Sequence, residues 1–316
     1  MRARLFLPDY WPSWIAVGCL RIIASLPDSM IVRVGHGIGW LARRLPLRYS
    51  LIARRNIELC LPKLSSAERE QLIERHFQSL GMCLCEAAMC WWSSDERIRK
   101  LSQVEGVEHL QAALAAGHGA LLLTAHFTTL EIGARILNAT LPINVLYRPP
   151  GNEVLAAIAH RRRHGQARRA IRRDDVRAMV RALRDNEVVW YAPDQSYRKK
   201  GARMVNFFGI PAATNTFTPR LAQMTGAAVL FFSHERLPSG MGWKIVIHPA
   251  LKDFPSGDEI ADTERYHAFI ESEVRRIPEQ YWWIHRRFKG LTADYPNYYA
   301  KKAPVVTQPA IHTDPI

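Results

Sequence analysis

A chain of 316 residues with 43 lysines and arginines against 29 aspartates and glutamates carries a formal charge of +14. That length can bury a sizeable core, and that charge favours an anionic partner: nucleic acid, acidic lipid headgroups or an acidic protein. Five cysteines, Cys19, Cys60, Cys83, Cys85 and Cys90, form no CxxC pair, which argues against a disulfide framework or zinc ribbon and for a reduced cytosolic setting.

Residues 1–45 read as a membrane-associated helical segment. The run from Trp11 to Leu26 is apolar, with tryptophans at positions 11 and 14. It lacks the small-residue cleavage site of a signal peptide. Arg21 interrupts it, and it falls short of the ~20 apolar residues a spanning helix needs. Met30 to Leu45 is a second amphipathic stretch, ending in Arg43-Arg44 and followed by Arg48, Arg54 and Arg55. Tryptophans at one end and arginines beyond the other suit a membrane interface with a basic cytoplasmic flank. A helical hairpin packed on the main domain is the competing reading, and spanning versus monotopic attachment stays open. Gly35-His36-Gly37-Ile38-Gly39 lacks the spacing and the preceding strand of a dinucleotide loop; Gly35 and Gly39 instead offer a small-residue face for close helix packing.

Residues 46–104 form a helical region. Ser65-Ser66-Ala67-Glu68 opens a helix with a capping signal, and Leu72, Ile73, Phe77, Leu80, Leu84 and Ala88 recur at helical spacing. From about 105 to 300 the pattern alternates. Helices are expected over 107–116, 129–137, 152–163, 175–184, 217–225 and 263–277; strands over 120–124, 143–147, 188–192, 228–232 and 244–247. Such alternation predicts an α/β domain with a mainly parallel central sheet flanked by helices. Residues 301–316, with three prolines and no apolar periodicity, are expected to be a disordered tail.

The chemistry centres on His126-Phe127-Thr128-Thr129-Leu130-Glu131, at the exit of the strand over 120–124. Imidazole takes a proton from a hydroxyl near neutral pH, and a carboxylate fixes its tautomer. Five residues along an ideal helix do not share a face, so His126 belongs in the turn and Glu131 in the first helical turn behind it. Thr128 is then a candidate N-cap, and Thr128 with Glu131 also reads as a capping box. No serine or cysteine nucleophile accompanies the histidine, so the attacking hydroxyl belongs to a substrate. Backbone N–H groups of the following turn are candidate donors to the oxyanion that would result.

Arg148 and Asp194 follow the next two strands and should emerge on the same sheet edge, where such folds place ligands. A basic stretch, Arg161-Arg162-Arg163-His164 continuing through Arg168-Arg169 and Arg172-Arg173, reads as helical. Without aromatic interleaving or a DNA-binding motif it points to a phosphorylated or carboxylated substrate rather than to nucleic acid. No G-x-S-x-G elbow, Walker loop or H-E-x-x-H is present. His234, His248 and His285 lack metal spacing and read as structural or exposed; no metal is expected.

Four blocks in order carry a resemblance. Ala53 to Pro62, with Ser79-Leu80-Gly81-Met82 and Trp91-Trp92, forms the first. His126 to Glu131 is the second, Val189 to Tyr197 with Phe207-Phe208-Gly209 the third, and Pro278 to Lys289 the last. Across roughly residues 5–295 the chain resembles the lipid A biosynthesis late acyltransferases, the lauroyl/myristoyl transferases of Gram-negative bacteria, within the wider H-x4-D/E acyltransferases. It departs from them in the extra basic residues Arg198, Lys199 and Lys200. The resemblance implies transfer of a fatty acyl chain from acyl carrier protein, a co-substrate with no further cofactor, to a hydroxyl of a phosphorylated glycolipid, a lipid A precursor of Kdo-bearing type, at the cytoplasmic face of the inner membrane. It implies His126 as catalytic base and Glu131 as its orienting acid. Arg163, with Arg162 the alternative, and Asp194 would be further functional positions, and Arg148 would join them in binding substrate. A lysophospholipid or glycerol-phosphate acyltransferase is the alternative.

Overall fold

The computed structural model describes residues 3–45, 48–147, 151–163, 169–238 and 241–300. Among these, strands β1 (Ser102–Glu105), β2 (Ala120–Leu123), β3 (Ile143–Tyr147), β4 (Arg169–Arg172), β5 (Val188–Tyr191), β6 (Ala202–Phe207), β7 (Ile210–Asn215), β8 (Ala228–Arg236) and β9 (Trp243–Ile247) are interleaved with helices. The helices are α1 (Trp11–Ala24), α2 (Asp28–Arg44), α3 (Arg48–Cys60), α4 (Ser66–Trp92), α5 (Asp95–Lys100), α6 (Val107–Ala115), α7 (Leu130–Thr140), α8 (Glu153–Arg163), α9 (Val176–Arg184), α10 (Phe217–Thr225) and α11 (Glu259–Arg276). Seven strands make one sheet in the order β1-β9-β8-β2-β5-β3-β4, and β6-β7 is a separate antiparallel hairpin. From β8 to β4 every neighbour is parallel; β9 reverses against β8 and carries β1 with it. The expected mainly parallel α/β architecture is therefore what this chain adopts.

The central strands read as unbroken apolar runs because both their faces are covered. Leu121 and Leu123 of β2 join one core with Val189, Val229 and Phe231. Ala120 and Leu122 join a second core, on the opposite face, with Val188, Trp190, Leu230 and Phe232. This is the two-residue period of a strand seen from both sides.

On the second face, α4 runs 27 residues and starts at a capping box, in which Ser65 Oγ accepts from Glu68 N–H at 3.3 Å and Glu68 Oε2 from Ser65 N–H at 2.7 Å. Helix α2 lies against it backbone to backbone. A Cβ on Gly39 would strike the Phe77 carbonyl, and one on Gly81 would strike the Gly35 carbonyl. The small-residue face read from Gly35 and Gly39 is thus a helix-to-helix contact, with Gly81 completing it. Buried Glu86 of α4 then takes Arg236 of β8 in a two-pronged ion pair, at 2.7 and 2.8 Å, and the Trp243 indole N–H at 2.8 Å.

The structure departs from these expectations in two places. The basic stretch is not helical throughout: Arg169–Arg172 is the edge strand β4, with Ile171 buried and its arginines exposed. Charge on an edge strand discourages further strand pairing. The β6-β7 hairpin and β1 had no counterpart in the sequence reading. The proposed tail, residues 301–316, lies outside the described residues.

Candidate active site at the carboxyl edge of the sheet

Parallel pairing of β2 with β5 sets Leu123 opposite Tyr191. Three residues beyond each lie His126 and Asp194, so the sheet register itself delivers the imidazole to the carboxylate. His126 Nδ1 stands 2.5 Å from Asp194 Oδ1, and the His126 backbone N–H donates to Oδ2 at 3.0 Å. Tyr281 supplies a third bond, its hydroxyl donating to Oδ2 at 3.0 Å. Asp194 is only 2 % exposed. Burial alone would raise its pKa; the His126 charge, both His126 bonds and the Tyr281 hydroxyl outweigh that and hold the carboxyl well below the usual range. An ionised carboxylate can only accept, so the imidazole proton sits on Nδ1 and the lone pair is on Nε2.

The turn bearing His126 is clamped on every side. His234, fully buried on β8, bonds Thr124 before it (Nε2, 3.0 Å) and Thr129 after it (Nδ1, 2.8 Å). Burial lowers the His234 pKa to about 3, so that ring is a neutral spacer. The segment after α11 closes the other side: Thr128 N–H donates to Gln280 C=O at 2.8 Å and Trp282 N–H to His126 C=O at 2.9 Å. Thr128 Oγ1 meets Ser79 Oγ at 2.7 Å, and Ser79 Oγ accepts from Arg236 at 2.9 Å, which ties the turn to the buried Glu86 pair.

The carboxylate at His126 Nδ1 is that of Asp194. Glu131 is half-buried in the first turn of α7, where its charge adds to burial in pushing up the Cys90 thiol. The capping box foreseen at Thr128 does not form: Thr129 is the N-cap, without a side-chain cap bond. Asp194, foreseen as a substrate-binding residue, instead faces the imidazole and Tyr281. Arg148 lies outside the described residues, and of Arg163 only its place as the last residue of α8 is described. The amides of His126, Phe127, Thr128 and Leu130 are already bonded within the protein, so they are not the oxyanion donors foreseen.

A shallow cleft lies over the pair, lined by Asn56, Cys60, Gln195, Phe207, Trp282 and His285 among others. Burial, reinforced by the Glu271 charge, pushes the Cys60 thiol well up, which keeps it protonated and weakly nucleophilic. Sequence reasoning gave no role to Tyr281, His285 or Arg287. Their signal was density: two tryptophans, a tyrosine, a histidine and two arginines fall within seven residues, 281–287.

A histidine whose proton is fixed by a buried aspartate, at the exit of a parallel sheet and without a protein nucleophile beside it, equips an enzyme to activate a hydroxyl of its substrate. The family described as bacterial lipid A biosynthesis acyltransferase matches residues 2–290. A lipid A biosynthesis palmitoleoyltransferase of Escherichia coli K12 is 38 % identical over 289 residues, 91 % of this chain and 94 % of that protein. A lipid A biosynthesis lauroyltransferase of the same strain is 36 % identical over 296 residues, 93 % and 97 % of the two chains. A lipid A biosynthesis acyltransferase of Haemophilus influenzae is 37 % identical over 286 residues, 89 % and 91 %. The chain belongs to the bacterial lipid A biosynthesis acyltransferase family, and it is an acyltransferase.

Proposed function

We propose that the protein moves a fatty acyl chain from an acyl carrier protein thioester to a hydroxyl of a phosphorylated lipid A precursor of Kdo-bearing type, with His126 as general base. The contact that carries this reading is His126 Nδ1 to Asp194 Oδ1 at 2.5 Å, which leaves Nε2 as the basic nitrogen. Nε2 takes the alcohol proton as the oxygen attacks the thioester carbonyl; Asp194 steadies the imidazolium; the proton then passes to the departing thiolate. Asp194 thus fills the orienting role first assigned to Glu131. Arg163 and Arg148 are the proposed ligands of the acceptor's phosphates, since guanidinium pairs with phosphate through two bonds. The charge of +14 suits an acidic carrier protein, a phosphorylated acceptor and an anionic leaflet alike.

The protein works at the cytoplasmic face of the inner membrane in this reading. No described helix is long and apolar enough to cross a bilayer. Helix α1 instead exposes Trp11, Ile15 and Ile22 at 59, 67 and 65 %. These positions share one helical face, which supports attachment in the plane of the interface.

The test presents one acyl carrier thioester with two acceptors, a lipid A precursor and a lysophospholipid. The precursor should be acylated, and folded His126→Ala protein should be slower by at least ~100-fold. Preferential acylation of the lysophospholipid would replace the acceptor; near-normal turnover by His126→Ala would reject the base.

A further inference from the structure

Acyl transfer to an alcohol develops negative charge on the acyl carbonyl oxygen, and a site needs a fixed donor aimed at it. The amides of His126, Phe127, Thr128 and Leu130 are occupied. The neighbouring side chains of Asn56, Tyr281 and Arg287 are engaged as well. Both Asn56 amide hydrogens go to the Trp283 and His285 carbonyls, at 2.6 and 2.7 Å. The Tyr281 hydroxyl is on Asp194. The terminal nitrogens of Arg287 hold Ala213 C=O and Thr214 Oγ1, and its unbonded Nε is sealed in the interior.

His285 is different. It lines the same cleft as His126. The Ser196 backbone N–H donates to its Nε2 at 3.1 Å. A backbone N–H can only donate, so Nε2 holds a lone pair and the ring's single proton is on Nδ1. Among the described residues nothing bonds Nδ1, and it is not one of the sealed, unsatisfied atoms. The backbone that carries the ring is also anchored: His285 C=O accepts from Asn56, and His285 N–H donates to Trp282 C=O at 3.3 Å. Gln195, which shares the cleft, shows no comparable anchoring of its side chain.

We propose that His285 is a second catalytic histidine, a neutral imidazole whose Nδ1–H donates to the carbonyl oxygen of the acyl group under attack. The two rings use opposite edges. His126 spends Nδ1–H on Asp194 and offers a lone pair; His285 spends its lone pair on Ser196 and offers Nδ1–H. In the step, the alcohol proton moves to His126 Nε2 and the new C–O bond forms. The carbonyl π pair moves onto oxygen, where His285 Nδ1–H meets it. Collapse of the tetrahedral intermediate re-forms C=O, expels the leaving group of the acyl donor and returns the proton from His126. His285 stays uncharged throughout: burial first, then the neighbouring charges of His126, Arg287 and Lys289 against that of Asp194, lower its pKa to about 4. The proposal rests on His126 being the base.

Two variants separate a donor from a structural ring. Gln places its terminal oxygen near the Nε2 position and can keep the Ser196 bond, but it has no donor at Nδ1. Asn places an N–H near Nδ1 and gives up the Ser196 bond. With a purified acyl donor and acceptor, His285→Gln should melt like the wild type yet lose on the order of 10²-fold in kcat, with KM for the donor little changed. His285→Asn should be at least about tenfold faster than His285→Gln. The acid limb of the kcat/KM profile should stay put in His285→Gln, because the base and its Asp194 partner are unchanged. A folded His285→Gln enzyme with near-wild-type kcat, an Asn variant no better than Gln, or a displaced acid limb would each overturn the proposal. Loss of activity in His126→Ala is measured alongside; if that variant stays active, the base assignment fails rather than the donor.

Discussion

Asp194 is the residue on which the base depends, and its neighbours dictate what an amide in its place would do. Oδ2 receives two donors, the His126 amide and the Tyr281 hydroxyl; Oδ1 receives Nδ1–H. In Asp194→Asn the side-chain oxygen must take the site with two donors, which turns the NH₂ toward Nδ1. That amide donates, so Nδ1 becomes the acceptor and the proton moves to Nε2, where the lone pair was needed. The expected loss in kcat is about 10⁴-fold, the scale on which a wrong tautomer disables a histidine base. Turnover assays beside a melting curve check it; a folded Asp194→Asn enzyme with unchanged kcat would remove Asp194 from the mechanism. Sequence proximity favoured Glu131, five residues from His126. The actual partner is 68 residues away. An apolar run announces a strand but not which strand lies beside it, so the β2-β5 adjacency that selects Asp194 was invisible until the sheet was assembled.

The elements legible in the sequence are those whose physics is local. β2 and β5 are short apolar runs buried on both faces, and α4 begins with a capping pair three residues apart. β4 was hidden because its arginines continue a basic run, and only Ile171 marks a buried side. The β6-β7 hairpin turns through Phe208 and Gly209, both at positive φ (52° and 72°). A hairpin of this hand normally announces itself with Asn-Gly or Asp-Gly; Phe-Gly gives no such notice. Helix α1 had two readings, and the packed hairpin describes its buried side. Val17 and Ala24 are buried against the protein, while Trp11, Ile15 and Ile22 face outward. Ile15→Asp combined with Ile22→Asp removes apolar surface that the fold leaves exposed. Affinity for phosphatidylglycerol–phosphatidylethanolamine vesicles should fall at least ~10-fold, each isoleucine being worth up to ~1.5–3 kcal/mol when buried. The melting temperature should hold. Undiminished co-sedimentation with those vesicles would move membrane contact away from α1.

At the scale of the whole molecule, buried neutral histidines make acid the condition the fold tolerates least. Burial lowers His76 and His285 to about 4 and His234 and His267 to about 3. Burial is what keeps each ring neutral; within the fold His76 bonds Glu279 C=O, His267 bonds Asn206 C=O, His234 bonds two threonines and His285 accepts from the Ser196 amide. Unfolded, each would titrate near 6.5. Between those values the unfolded chain binds a proton that the native protein refuses, so stability must fall as pH falls. The slope is about 1.4 kcal/mol per pH unit for each histidine, beginning near pH 6.5 and continuing to about 4 for one pair and about 3 for the other. Asp194 adds to the loss only later, below about 4, where its unfolded carboxyl takes up a proton. A chain already at +14 also gains further self-repulsion as it acidifies. The melting temperature should therefore be nearly level above pH 7 and fall steeply from pH 6.5 to 4.5, with calorimetry at pH 5 registering an uptake of about four protons per molecule unfolded. A melting temperature that stayed level across that interval would mean these rings accept protons in place, and their neutrality would no longer be a property of the fold.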